Sequence, residues 1–179
     1  VLTSGGVMAN IMALTAARDI HLARLLGLDE PPRAGALEGT RVYASDQAHF
    51  SIARAIAVLG FPAETLRIVP SDERFRLHAS PVADAVAEDR AAGLVPFAIA
   101  AVAGSTNTGS VDLTGGLADL AERERLWLHV DAAYGGGAAF SASIAPRVPD
   151  LERADSLTID PHKWFFQPYD IGALVVKRR

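Results

Sequence analysis

Short apolar runs alternate with longer segments whose apolar residues recur at helical spacing along almost the whole chain. That alternation is the strongest constraint on the fold. A strand buried on both faces needs helices to cover it and to carry the chain back to the next parallel strand. The spacing predicts helices over 7–26, 49–59, 81–92 and 117–125, and strands over 41–45, 65–69, 98–103, 126–131, 156–159 and 172–176. Gly27, Gly60 and Gly93 stand where the helical patterns stop. The expected architecture is α/β, a mostly parallel sheet with helices on both faces, and 179 residues suit one core.

Composition narrows the function classes. A net charge of -4 and a pI near 5.7 give no basic stripe for nucleic acid. With no cysteine, neither a disulfide frame nor a thiolate metal site is available, and a cytoplasmic location is the expectation. The most apolar run, Pro96 to Gly104, is far shorter than the roughly 20 residues of a membrane-spanning helix, so it reads as a buried strand and no membrane partner is expected. The chain opens at Val1 without a methionine or a leader pattern, so a fragment of a longer protein is expected.

In α/β folds ligands bind beyond the carboxyl ends of the strands, and the loops there hold the unusual residues. Thr3-Ser-Gly-Gly6 precedes the first helix. Its glycines suit either a phosphate at the helix N-terminus or an ordinary tight cap. Asp131 ends a strand before Ala132, Ala133 and Tyr134, as a partner for a cation or as a turn cap. His49 opens a helix, where imidazole serves as cap, proton carrier, metal ligand or flat stacking face. His49, His129, Asp131 and His162 lack a compact ligand spacing, and no metal is expected.

Lys163 is the residue on which the chemistry turns. In TIDPHKWFFQPYD it follows a strand and is flanked by Trp164, Phe165 and Phe166. Aromatic surroundings are expected to desolvate the amine and favour its use as a nucleophile toward a carbonyl, although a lysine whose stem packs on aromatics fits the same pattern. Taken together, an amine for an aldehyde, a glycine turn for a phosphate, a carboxylate for a ring nitrogen and an imidazole for a flat ring describe one ligand, pyridoxal 5'-phosphate.

The segments TSGGVMANIMAL, SDQAHFSIARA, GSTNTGSVD, WLHVDAAYGG and ADSLTIDPHKWFFQPYD follow one another in an order that resembles the group II pyridoxal-phosphate-dependent amino-acid decarboxylases, which act on aromatic amino acids, histidine and glutamate. The resemblance covers essentially all of residues 1–179. It implies the central part of the large domain of a fold type I enzyme, with an N-terminal segment, a small C-terminal domain and a mobile loop bearing a catalytic tyrosine elsewhere. It implies decarboxylation of an L-amino acid to its amine in a homodimer. By the same resemblance Lys163 matches the lysine that binds the cofactor aldehyde, Asp131 the partner of the pyridine nitrogen and His49 the stacked histidine. Thr106 lies near the cofactor, Ala133 packs under the ring, and Gly5, Gly6, Val7, Ser156 and His162 surround the phosphate. Val7 stands where many relatives carry Ser or Thr, and Ile171 where a small residue is usual. Transamination, lyase or aldehyde-forming chemistry on the same cofactor and a non-catalytic association module are the alternatives.

Overall fold

The computed structural model describes residues 1–177. Its elements are β1 (Leu2–Thr3), α1 (Gly6–Ala16), α2 (Ala23–Leu25), β2 (Thr40–Ser45), α3 (Ser51–Val58), β3 (Leu66–Val69), α4 (Ala79–Ala91), β4 (Val95–Val102), α5 (Thr114–Glu124), β5 (Trp127–Asp131), β6 (Ser156–Ile159), α6 (Pro161–Trp164) and β7 (Gly172–Val176). A π-helical turn, Ala17–Leu22, joins α1 to α2, so the predicted first helix is continuous but locally widened. The strands form one sheet in the order β1-β7-β6-β5-β4-β2-β3. From β3 to β6 all neighbours are parallel, and β7 returns antiparallel against β6 with β1 antiparallel on its outer side. The very short β1 carries no sequence periodicity, and the spacing argument does not reach it.

Alternation along each strand divides the core into two layers. Tyr43, Ile99, Ala101, Leu128 and Val130 pack with Val82 and Val86 of α4 and Leu117 and Leu120 of α5. On the opposite face Val42, Ala44, Ala98, Ala100 and Trp127 pack with Leu14 of α1 and Ile52 and Ile56 of α3. The sheet is therefore covered on both sides, as the alternation of elements requires. Trp127 shares its face with His129 and Asp131 by the same period of two, and β6 pairs with β5 as His129 beside Ser156 and Asp131 beside Thr158. This parity turns the polar residues of β5 and β6 toward α1.

Residues on the α4–α5 side are fixed by polar anchors as well. Buried Asp112 accepts the Leu77 N–H at Oδ1 and the Val102 N–H at Oδ2, each at 2.7 Å, tying the loop before α4 to the end of β4. Burial pushes its carboxyl up to about 6, against the pull of those two hydrogen bonds. The Tyr43 hydroxyl donates to Asp89 Oδ2 at 2.8 Å, and Asp89 is also paired with Arg67 at 2.8 Å, so the buried charge on α4 is met on two sides.

Candidate active site

A cavity of about 290 Å³ opens at the carboxyl ends of β2, β4, β5 and β6, against the start of α1. Each strand feeds it through the loop or helix that follows. His49 and Phe50 come after β2, Gly104 and Thr106 after β4, Asp131 and Ala133 from the end of β5, and Asp160, His162 and Lys163 after β6. Gly5, Gly6 and Val7 close the α1 side. Nine residues proposed from the sequence (Gly5, Gly6, Val7, His49, Thr106, Asp131, Ala133, His162 and Lys163) thus line one cavity.

The glycine turn has a steric basis. Gly5 has a φ of 143°, a conformation side chains resist, and it is the residue preceding α1. A methyl group at Gly6 would stand 3.0 Å from Asp160 Oδ2 and 3.1 Å from the Ala133 side chain. Glycine at position 6 therefore lets α1 pack closely against Asp160 and Ala133, and the start of the helix borders the cavity with the positive end of its dipole.

Asp131 is buried, and each oxygen has one protein partner. Oδ1 accepts the Ala133 N–H at 3.1 Å and Oδ2 accepts the Asn10 side-chain N–H at 2.7 Å. It caps its own turn and faces the cavity. His49 Nδ1 lies 2.8 Å from Ser51 Oγ. The Ile171 backbone N–H donates to His162 Nδ1 at 3.1 Å, so the departure at Ile171 leaves this main-chain tie to His162 intact.

Two sequence readings need correction. Ser156 lies outside the cavity, near the start of β6, where its hydroxyl accepts the Trp127 indole N–H at 2.8 Å and meets His129 Nδ1 at 2.9 Å. Three further residues of strand separate it from Asp160, so it supports the sheet side of the site and does not border the cavity. Lys163 is also less desolvated than its aromatic neighbours suggested. Its side chain is 36% exposed, Phe166 is 91% exposed, and Trp164 turns to pack on Gly137 and edge-on to Tyr134. The short helix α6 projects successive side chains in different directions, so adjacency in sequence did not become burial around the amine. What holds Lys163 is an ion pair, Nζ to Asp160 Oδ2 at 3.0 Å.

Asn10 and Asp160 were missed. Asn10 lies among Ala9, Ala13 and Leu14 on the buried face of α1, and a polar side chain on an apolar helical stripe is a signal of a buried hydrogen-bonded role. Asp160 precedes Pro161 in the DPHK segment already singled out, but its side chain had no assigned partner. Its Oδ1 is buried and makes no hydrogen bond among the described residues.

The model of the pyridoxal-dependent decarboxylase conserved domain matches residues 1–179. The chain belongs to the pyridoxal-dependent decarboxylase family. Among curated members of that family, the aromatic-L-amino-acid decarboxylase of Bacillus atrophaeus is 42% identical over 99% of this chain and 35% of its own length. The L-2,4-diaminobutyrate decarboxylase of Rhizobium meliloti (strain 1021) is 36% identical over 99% of this chain and 33% of its own length. The solved structure of Oryza sativa TDC with PLP and tryptamine superposes with a TM-score of 0.89 at 34% identity, over 98% of this chain and 36% of that one. The chain thus spans about a third of the length of the pyridoxal-dependent decarboxylases it matches.

Proposed function

We propose that this chain forms the cofactor-binding part of a pyridoxal-phosphate-dependent decarboxylase that converts an L-amino acid to its amine and carbon dioxide. The observation that carries the reading is the convergence of Lys163 Nζ, the Asp131 carboxylate, the His49 ring and the glycine start of α1 on one cavity. The site passes a test of fit. Gly5, Gly6 and Val7 border the cavity where α1 begins, and a Cβ at Gly5 would meet only the His162 ring at 3.5 Å, which suits a phosphate at a helix N-terminus. The cavity is near the lower end of small-ligand sites, roughly 300 Å³. One group runs against an anion there: the Asp160 carboxylate, whose charge is met by Lys163 at 3.0 Å and faced by His162 at 3.6 Å.

When bound, pyridoxal phosphate supplies an aldehyde for an amine and a ring that accepts the electron pair released with the carboxylate. The residues divide the remaining tasks. Lys163 would provide the amine for that aldehyde. Asp131, held by Asn10 and the Ala133 N–H, presents a fixed carboxylate to the ring nitrogen and keeps a proton on it. His49 offers the flat face of its ring, steadied by Ser51. The first turn of α1 would hold the phosphate, and Thr106 and His162 border the same cavity.

The acting unit in this proposal is a cytoplasmic homodimer in which residues 1–179 form the central part of the large domain. The aromatic residues around the cavity support further covering protein: Tyr169 is 83% exposed, and Phe50 and Tyr134 are exposed as well. The names of the relatives place aromatic amino acids and diaminobutyrate among the substrates to try. The test is product analysis of the full-length protein with a panel of L-amino acids. Amine and carbon dioxide in equal amounts are expected; release of a keto acid or an aldehyde instead overturns the decarboxylase assignment.

A further inference from the structure

Asn10 is 1% exposed and uses every hydrogen-bonding valence it has. The Asp131 carboxylate only accepts, so the amide nitrogen of Asn10 must face it, donating to Oδ2 at 2.7 Å. The second amide hydrogen goes to Ser51 Oγ at 2.8 Å. Asn10 Oδ1 is then left to accept, from the Thr158 hydroxyl at 2.7 Å and from His129 Nε2 at 3.0 Å. His129 is fully buried, and burial pushes its pKa down to about 4, so the ring is neutral with its proton on Nε2. Its Nδ1 therefore accepts from the Ser156 hydroxyl, which itself accepts from the Trp127 indole.

The other branch has an equally definite direction. The Ser51 backbone N–H donates to His49 Nδ1 at 3.3 Å, which makes that nitrogen an acceptor. The Ser51 hydroxyl, having accepted from Asn10, donates to the same nitrogen at 2.8 Å. The proton of neutral His49 is thereby on Nε2. One amide connects the carboxylate on one wall of the cavity with the imidazole on another. Aspartate at position 10 would set two carboxylates against each other, glutamine would be one methylene too long for the buried space, and leucine would strand four partners at once.

We propose that Asn10 is the positioning residue of this site: it aligns the Asp131 carboxylate and fixes the tautomer of His129 behind it. The proposal deepens the cofactor reading above and rests on it for its role in binding. Two measurements on the full-length protein test it. The first is long-range ¹H–¹⁵N spectra of histidine-labelled protein at about pH 8, where imidazoles are neutral. In the wild type His49 and His129 are expected as single Nε2–H tautomers. Asn10→Ser is expected to give mixed tautomers at His129, whose Nε2 loses its acceptor, while His49 stays a single tautomer on the Ser51 backbone N–H; Ser51→Ala, which removes one hydroxyl and guards against a fold defect in the first variant, is expected to leave both single.

The second measurement is the affinity for pyridoxine 5'-phosphate, which carries the ring nitrogen and the phosphate but no aldehyde. Asn10→Ser is expected to weaken it by about tenfold, in the range of supporting-residue effects. Combined with Asp131→Asn it is expected to add nothing to the loss from Asp131→Asn alone, because Asn10 acts through that carboxylate. Losses that multiply, as for independent sites, overturn the proposal. A single His129 tautomer in Asn10→Ser overturns it as well. A wild-type protein that binds no pyridoxine phosphate removes the cofactor reading, and the tautomers then decide the positioning role by themselves.

Discussion

Lys163 Nζ and Asp160 Oδ2 are 3.0 Å apart, and the same oxygen lies 3.0 Å from where a Cβ on Gly6, at the start of α1, would stand. The amine expected to react and the turn expected to hold an anion therefore share a single negative group. Exchanging Asp160 for asparagine removes that charge and adds an N–H donor of almost the same shape. The affinity of the Asp160→Asn protein for inorganic phosphate and for pyridoxine 5'-phosphate is expected to rise, by about 1 kcal/mol or roughly fivefold for a charge at this range in a partly wet site. Calorimetry at low and at high salt checks it, since the gain should shrink as ions screen the site. Equal affinities in the two proteins would separate Asp160 from the anion site.

Pyridoxal phosphate fixed by borohydride is expected on Lys163. Lys177 is the only other lysine of this chain and lies after the last strand, beyond the cavity lining. Peptide mapping of the reduced protein distinguishes the two, and a label on Lys177 would overturn the assignment of the reactive amine.

Asp131→Asn should retain cofactor capture by Lys163 but lose turnover in the full-length protein by on the order of 100-fold or more, the scale of losing a fixed electrostatic partner. The amide preserves shape and one acceptor oxygen while withdrawing the charge that keeps a ring nitrogen protonated. Its second atom is a donor that confronts either the Asn10 amide N–H or the Ala133 N–H. Absorbance of the bound cofactor beside steady-state rates separates the two effects. Unchanged turnover would show that Asp131 has no such role.

The legible part of this molecule is the part governed by short-range periodicity. The strand pattern placed Asp131 at the end of β5 and Lys163 after β6, and the rule that ligands sit beyond strand ends put them in one cavity. Ser156 failed because proximity in a motif is not proximity in space: two strand residues separate it from Ile159, and the strand carries it away from the site. Asn10 was hidden for the opposite reason. Its partners, Asp131 and Thr158, lie more than a hundred residues along the chain, and only the pairing of β5 with β6 under α1 brings them to one amide. The exposure of Lys163 was misjudged because the directions of side chains on a helix of four residues are set by where it docks, not by its neighbours in sequence.

Two buried groups titrate with opposite consequences. Burial raises Asp112 from 3.8 to about 6, so between those values the folded protein holds a proton that the unfolded chain has released. That contribution to stability is present at low pH and is lost as pH rises through about 6. Burial lowers His129 from 6.5 to about 4, so over nearly the same window the unfolded chain holds the extra proton, and this contribution grows as pH rises. The carboxylates held low, Asp46, Asp72 and Glu124, act below their ordinary values of 3.8 and 4.5. From about pH 5 to 6 the two buried groups therefore nearly cancel, and wild-type stability measured by urea unfolding should change little. Asp112→Asn should unmask His129. The variant is expected to lose about 1–3 kcal/mol outright, because an amide cannot accept both the Leu77 and the Val102 N–H. Beyond that loss, its stability should climb by about 1 kcal/mol across the same pH interval while the wild type stays level. A variant curve parallel to the wild type would mean that Asp112 does not bind its proton in this window, and a falling one that His129 does not remain neutral in the folded protein.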